Sequence, residues 1–308
     1  SASKHAHCAK TGSTTPTSTP SAIGSQCTRP YRGPFYAHCH QQVTEHPVSD
    51  LPMASRKLLE ELKESGIEDI RGIPDDHLGL NALQQRVRDC VATDSTFVSP
   101  ELPAKLREIS FPVSFLDFET FNPALPVYVG TRPYQPVPFQ WSLHIKSASG
   151  HMSHESFLCQ DTEDPRPALV ESLLSAMPCE GTIMAYSNYE QTVMKQLATE
   201  FPECEGALLA LCDRTFDLLK LIREEYYHPQ FHGSFSIKSV LPVLVPEMGY
   251  GDLEIQHGLI AAIDFGRMVA ADTPTDERDK TREALLAYCQ RDTEAMVRVF
   301  DFLRSVKP

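Results

Sequence analysis

Residues 113–120 constrain the fold and chemistry of this chain more than any other stretch, because an apolar run there (VSFL) leads into two carboxylates (DFET). The run predicts a short buried strand. Side chains alternate between the faces of a strand, so Asp117 and Glu119 should point to the same side, with β-carbons roughly 7 Å apart. Hard divalent cations prefer clustered carboxylate oxygens, and this pair could share one ion. The alternative is a strand that runs into a solvated acidic turn.

Length and composition indicate a globular protein. The 308 residues allow one large domain or two modest ones, and 41% hydrophobic with 22% charged residues is a normal globular balance. No apolar run approaches the ~20 residues of a membrane span. Residues 1–26 are rich in Ser, Thr and Pro, so they predict disorder or a linker rather than a signal peptide. Nine scattered cysteines do not indicate a disulfide framework. We expect a cytoplasmic protein without membrane partners.

The net charge of −13 bears on the partners of the protein. With 28 basic and 41 acidic residues, the chain is not expected to grip a nucleic-acid backbone non-specifically. A nuclease remains compatible with this charge, because metal ions held by a carboxylate cluster can neutralise it and contact the phosphate.

Residues 27–50 contain a candidate structural metal site formed by Cys27, His38 and Cys39. The spacing resembles the C-terminal cysteine cluster of RecB-family nucleases that carry an iron–sulfur cluster. Such clusters need four thiolates, and Gly33 stands where a further cysteine is expected. We therefore predict a remnant of a RecB-like nuclease without an intact iron–sulfur cluster. Zinc held by the three residues and a fourth ligand remains an alternative.

Residues 51–100 predict a helical region. Two apolar stripes indicate two helices: Leu58, Leu59, Leu62 and Ile67 in the first, and Leu78, Leu80, Leu83 and Val87 in the second. The connecting residues 66–74 resemble a helix-hairpin-helix element, in which backbone amides can meet a phosphate. The alternative is an extra helical layer that packs on the main domain.

From residue 111 onward the pattern predicts an α/β domain. The predicted strands are 111–117, 139–147, 151–159, 181–186 and 214–217. The predicted helices are 166–177, 189–201, 218–225, 236–245, 258–269 and 281–304, with a polar loop over 271–280. Three strands, a helix, a strand, a helix, a strand and then helices is the order of the ribonuclease H-like fold, a mixed sheet of about five strands flanked by helices.

Further polar residues follow at element ends. Glu190 should lie in the first turn of a helix that begins after a strand, two residues beyond Asn188. Tyr288 and Asp292 are four residues apart on a helix, so they should share one face. Asp217 is a second candidate acid at a strand end.

These patterns, in this order, resemble the three exonuclease motifs of the DnaQ-like superfamily. The patterns are Asp-x-Glu on the first strand, Asn-x-acid at a strand–helix junction and Tyr-x-x-x-Asp on a late helix, the form of the DEDDy branch. The resemblance covers residues 110–305. The blocks 115–120, 138–142, 236–242 and 288–292 further resemble an uncharacterised bacterial family of predicted nucleases with a RecB-like N-terminal part.

The resemblance implies a centre with two Mg²⁺ or Mn²⁺ ions about 3.5–4 Å apart. The implied ligands are Asp117, Glu119, Glu190 and Asp292, and the implied catalytic set adds Tyr288, which would orient the attacking water. The superfamily usually has Asp where Glu190 stands, so Asp217 is the reserve ligand. Tyr288 as a core aromatic and Asp292 as a surface acid are the alternatives.

The function expected from this set is divalent-metal-dependent 3′→5′ exonuclease activity on single-stranded DNA or RNA. The candidate substrate contacts are Phe121, Tyr134, Asn188, Lys238 and Arg291. The aromatic residues could equally cover a hydrophobic edge, and the basic residues could be ordinary surface charges. Two other functions remain open, a catalytically silent nucleic-acid-binding or scaffold module and an endonuclease of the same fold.

Overall fold

The computed structural model describes residues 44–307. The predicted linker over 1–26 lies outside the described residues. The same holds for Cys27, His38 and Cys39, so the predictions of a cysteine metal site and of a missing iron–sulfur cluster stay predictions.

Within residues 44–307 the chain forms ten α-helices and seven strands. The helices are α1 (Arg56–Glu64), α2 (Ala82–Thr93), α3 (Leu102–Arg107), α4 (Pro165–Ala176), α5 (Tyr189–Glu200), α6 (Glu205–Asp213), α7 (Leu218–Glu225), α8 (Ile237–Leu244), α9 (Gly258–Met268) and α10 (Thr275–Ser305). The strands are β1 (Phe97–Val98), β2 (Val113–Phe121), β3 (Val137–Lys146), β4 (Met152–Leu158), β5 (Thr182–Ala185), β6 (Thr215–Asp217) and β7 (Tyr226–Tyr227). In the described part of the chain, no helix combines the length and the apolar character that crossing a bilayer requires.

Five strands form the central sheet, in the order β4-β3-β2-β5-β6. The hairpin β3–β4 and the pair β2–β3 are antiparallel, whereas β2–β5 and β5–β6 are parallel. A right-handed helical crossover is the usual way to join parallel neighbours, and α4 to α6 supply these connections. The predicted α/β class, with a mixed five-stranded sheet flanked by helices, is confirmed.

The central strand β2 is buried on both faces, and its alternating residues enter two hydrophobic clusters. Val113 and Phe115 belong to the cluster that α8, α9 and α10 cover. Leu116 and Phe118 belong to the cluster on the opposite face, which α4, α5 and α6 cover. Since side chains repeat every second residue, Asp117 and Glu119 continue the row of Val113 and Phe115. The two carboxylates therefore face the layer that contains α9 and α10.

The strand continues beyond the predicted end at residue 117. Antiparallel pairing with β3 carries β2 to Phe121, with a shift of register between Glu119 and Thr120. Glu119 is therefore a residue of the sheet, and the interpretation of this stretch as a strand ending in an acidic turn is wrong.

Two further predictions on helices are wrong. The expected polar loop 271–280 ends early because α10 begins at Thr275, directly after Pro274, with Asp276 and Glu277 in its first turn. Negative charge there is favourable for the helix dipole.

Leu78 lies outside α2 and is fully exposed, because a capping box of Asn81 and Gln84 starts that helix later. The sequence patterns also missed α3, α6 and the short antiparallel pair β1–β7.

Candidate metal centre

Strand β2 delivers two carboxylates to one edge of the sheet. Glu119 is 7% exposed, and Asp117 is half-buried one step earlier on the same face. Neighbouring β5 runs parallel to β2, so its carboxyl end meets the same edge. Glu190 stands in the first turn of α5, directly after that strand, and is 3% exposed. The predicted placement of Glu190 at the start of a helix is confirmed.

Glu190 and Asp217, the two candidates for the third ligand, occupy different environments. Oε2 of Glu190 is buried and has no hydrogen-bond partner. Asp217 instead caps α7, where its Oδ1 accepts a hydrogen bond of 2.8 Å from the backbone N–H of Lys220. A buried carboxylate oxygen without a partner is costly. The arrangement therefore favours Glu190 as the residue left free to bind a cation.

Helix α10 supplies the remaining groups of the cluster. Tyr288 and Asp292 lie one turn apart and face β2, as their spacing predicts. The Tyr288 hydroxyl accepts a hydrogen bond of 3.1 Å from Nζ of Lys238, and the charge of Asp292 acts on it. Oδ1 of Asp292 also accepts a hydrogen bond of 2.5 Å from the hydroxyl of Tyr250. Asp292 is thus held by a residue of the segment between α8 and α9.

Burial raises the pKa values of all four carboxylates, and charges of other carboxylates add to the rise for Asp117, Glu119 and Glu190. Burial, followed by the charge of Asp292, raises the pKa of Glu119 to about 8, and Lys238 opposes this rise. Burial raises the pKa of Glu190 to about 7. The pKa values of Asp117 and Asp292 are also raised, in both cases mainly by burial. Ionising the whole cluster at neutral pH is therefore unfavourable unless positive charge joins it.

The donor atoms of this cluster fit a divalent cation. Carboxylate oxygens from β2, α5 and α10 are the ligands that Mg²⁺ and Mn²⁺ prefer. The unpartnered Oε2 of Glu190 is a free acceptor at the site. Asp117, Glu119 and Cys289 each offer one ligand atom, and these atoms lie within 4.8 Å of one another.

The first residue of α9 also borders the cluster. A β-carbon at Gly258 would lie 3.5 Å from Oε2 of Glu119 and 4.0 Å from the Tyr288 hydroxyl. Glycine therefore leaves room next to these two groups that a larger side chain would fill.

The predicted substrate contacts are placed differently from one another. Lys238 lies within the cluster, with its ammonium bound to Tyr288 and to the carbonyl oxygen of Gln256. The guanidinium of Arg291 is engaged by Asp252 at 2.8 Å. Phe121 packs against Phe139 and Phe265.

The two other candidate contacts are exposed. Tyr134 is 70% exposed in the loop after β2, and Asn188 is exposed at the residue before α5, without a capping hydrogen bond from its side chain. Both side chains are therefore accessible to a ligand.

Three residues of the site were missed by sequence reasoning. Tyr250 lies in the segment between α8 and α9, which has no regular periodicity, and Gly258 is the first residue of α9. The stretch 252–258 resembles a family feature, but the sequence suggested no role in the site for either residue. Cys289 carried a signal, because it precedes Asp292 by three residues, a spacing of neighbours on a helix surface.

Comparison with known proteins gives one match. A family model described as a domain of unknown function (DUF2779) matches residues 114–236, less than half of the chain. The match includes Asp117, Glu119 and Glu190, and it ends before α8, so Tyr288 and Asp292 lie beyond it. No curated protein and no solved structure matches the chain.

Proposed function

We propose that this chain is a divalent-metal-dependent nuclease that hydrolyses phosphodiester bonds of single-stranded nucleic acid from the 3′ end. The observation that carries the proposal is the close pair Asp117 and Glu119 on β2, on which the charges of Glu190 from α5 and Asp292 from α10 act. Their order along the chain is the order of the motifs that the sequence resembles. The unpartnered oxygen of Glu190 supports a cation at this place.

Asp117, Glu119, Glu190 and Asp292 would hold Mg²⁺ or Mn²⁺. When bound, such ions supply the positive charge that activates water and stabilises the leaving 3′ oxygen. Asp117 lies on the central strand β2 and would be one of the residues that hold such an ion.

Tyr288 orients the attacking water in this proposal. Burial and the nearby carboxylates raise the pKa of its hydroxyl, so the group stays protonated at neutral pH and acts as a hydrogen-bond partner. Lys238 donates a hydrogen bond to the hydroxyl oxygen. The phenol is held in one orientation beside the carboxylates.

The net charge of the chain supports a substrate that contacts the protein through few phosphates. A net charge of −13 disfavours the wide phosphate contacts by which proteins grip long duplexes. A single-stranded 3′ end requires contacts to few phosphates, and Lys238 offers one cation at the cluster.

The test is a digestion panel of end-labelled single- and double-stranded DNA and RNA with Mg²⁺, Mn²⁺ or EDTA, together with closed circular single strands. We expect nucleotides to be released from 3′ ends, and Asp117→Asn to lower the rate by about 100-fold or more. Asp213→Asn, which removes an exposed carboxylate of α6, is the matched control.

The outcomes separate the competing functions. Undiminished cleavage in EDTA or by Asp117→Asn contradicts the metal-dependent mechanism. Cleavage of closed circles indicates an endonuclease. Binding of Mn²⁺ and single strands without cleavage of any substrate indicates a silent binding module.

A further inference from the structure

A sulfur atom lies among the candidate ligands of the metal centre. Cys289 is fully buried on α10, and its Sγ lies 3.6 Å from Oδ2 of Asp117. The mechanism proposed above uses only oxygen ligands and assigns this thiol no role. The oxygen ligands of that mechanism do not account for sulfur, a softer ligand atom, at this place.

The separation of the two atoms fits ligands of one tetrahedral ion. Zinc binds thiolate sulfur at about 2.3 Å and carboxylate oxygen at about 2.0–2.2 Å, which places two such ligands about 3.5 Å apart at a tetrahedral angle. The observed 3.6 Å matches this value. Glu119 completes a group of three whose ligand atoms lie within 4.8 Å of one another.

A second, independent feature is a buried polar atom on the neighbouring helix α5 that has no partner. The buried Oε2 of Glu190 has no hydrogen-bond partner. The charge of Glu190, in the first turn of α5, acts on both Asp117 and Glu119. Glu190 is therefore available to contribute to a cation held by the other three residues.

We propose that this centre also binds a thiophilic divalent cation, Zn²⁺ or Cd²⁺, through the thiolate of Cys289 together with Asp117 and Glu119. The thiol proton is released to solvent as the sulfur lone pair forms the metal–sulfur bond, so no oxidant or reductant is involved. Because this ion occupies two carboxylates needed for Mg²⁺ or Mn²⁺, its binding inhibits the nuclease. Only this last consequence rests on the proposed function.

The test is a titration of the chelator-treated 308-residue chain with Cd²⁺, monitored by the ultraviolet thiolate-to-cadmium charge-transfer band. A background in which Cys8, Cys27 and Cys39 are changed to Ser removes the N-terminal thiols from the signal. We expect one equivalent of Cd²⁺ to produce the band and Zn²⁺ to abolish it by competition.

Matched variants assign the band to one sulfur. Cys289→Ser should lose the band, whereas Cys212→Ser, which removes a buried thiol of α6, should keep it. Glu119→Gln should weaken Cd²⁺ binding by about tenfold or more. An undiminished band in Cys289→Ser overturns the proposal.

Cadmium NMR of the protein with Cys289 intact tests the same point even if Cys289→Ser does not fold. A shift typical of one sulfur among oxygen ligands is expected, and a shift typical of oxygen ligands alone overturns the proposal. Neither spectrum depends on cleavage. A band without nuclease activity leaves this inference standing, and activity without a band removes it while the nuclease remains.

Discussion

The hydroxyl of Tyr250 donates a hydrogen bond of 2.5 Å to Oδ1 of Asp292, across a sequence separation of 42 residues. Tyr250 is itself buried, and its ring lies 6.4 Å from that of Tyr288. Lys238 sits 5.1 Å from the centres of both rings. The segment between α8 and α9 thereby fixes the orientation of a carboxylate on α10.

Tyr250→Phe should release one side of Asp292 while keeping the ring in place. Loss of a hydrogen bond that orients a metal ligand typically costs about 10–100-fold in metal affinity or activity. We expect a loss of this size in Mn²⁺ affinity measured by calorimetry, with a parallel fall in kcat. Tyr226→Phe, which removes a buried hydroxyl on β7, is the control. Unchanged Mn²⁺ affinity would show that the Tyr250–Asp292 hydrogen bond only stabilises the packing of the α8–α9 segment.

Tyr288→Phe should separate the orientation of water from metal binding. The change keeps the aromatic ring and removes the hydroxyl to which Lys238 donates a hydrogen bond. We expect kcat to fall by roughly 100-fold, in the range for loss of a positioned catalytic group, with Mn²⁺ affinity near that of the wild type. Asp292→Asn should lower both quantities. A wild-type rate in Tyr288→Phe would make Tyr288 a core aromatic without a catalytic role.

Glu190→Gln should abolish Mn²⁺ binding and turnover and yet stabilise the metal-free protein at pH 8. Burial raises the pKa of Glu190 to about 7, so ionising it above that pH costs the folded state more than the unfolded state. The free energy of unfolding in EDTA should rise by about 1–3 kcal/mol at pH 8 and much less at pH 5. Urea unfolding at the two pH values measures this difference.

Asp217→Asn is the matched comparison for Glu190→Gln. Asparagine is as good a helix N-cap as aspartate, so the start of α7 should remain intact. We expect near-wild-type Mn²⁺ affinity and turnover. Loss of both in Asp217→Asn, with retention in Glu190→Gln, would reverse the assignment of the third ligand.

His144 should make the protein less stable in mild acid. It is buried on β3, where Nδ1 lies 2.8 Å from the hydroxyl of Thr293, and burial lowers its pKa to about 4. The unfolded state binds a proton near pH 6.5, so stability is lost as the pH falls from about 6.5 to about 4, by up to about 3 kcal/mol.

The measurement for His144 is the difference in unfolding free energy between wild type and His144→Gln at pH 7 and pH 4.5, in EDTA. His151→Gln, at an exposed position in the turn between β3 and β4, is the control. The pH dependence should flatten in His144→Gln only. An equal pH dependence in all three proteins would show that His144 is not the titrating group.

Local patterns in the sequence were enough to predict the strand β2, the shared face of Asp117 and Glu119, and the helical spacing of Tyr288 and Asp292. Each depends on the side-chain periodicity of one strand or helix, and consecutive residues are enough to reveal that periodicity. The order of strands and helices likewise indicated the mixed sheet, because parallel strands require a crossover between them.

Long-range packing decided the rest of the site. Cys289 reaches Asp117 across 172 residues, and Tyr250 reaches Asp292 from a segment without periodicity. The difference between Glu190, with an unpartnered oxygen, and Asp217, which caps a helix, also appears only when neighbouring groups are placed. The sequence by itself determined which residues carry charge and which face of their own element they occupy. The tertiary structure decided which of them meet, because helix α10 and the α8–α9 segment are positioned by contacts between side chains that are far apart in the sequence.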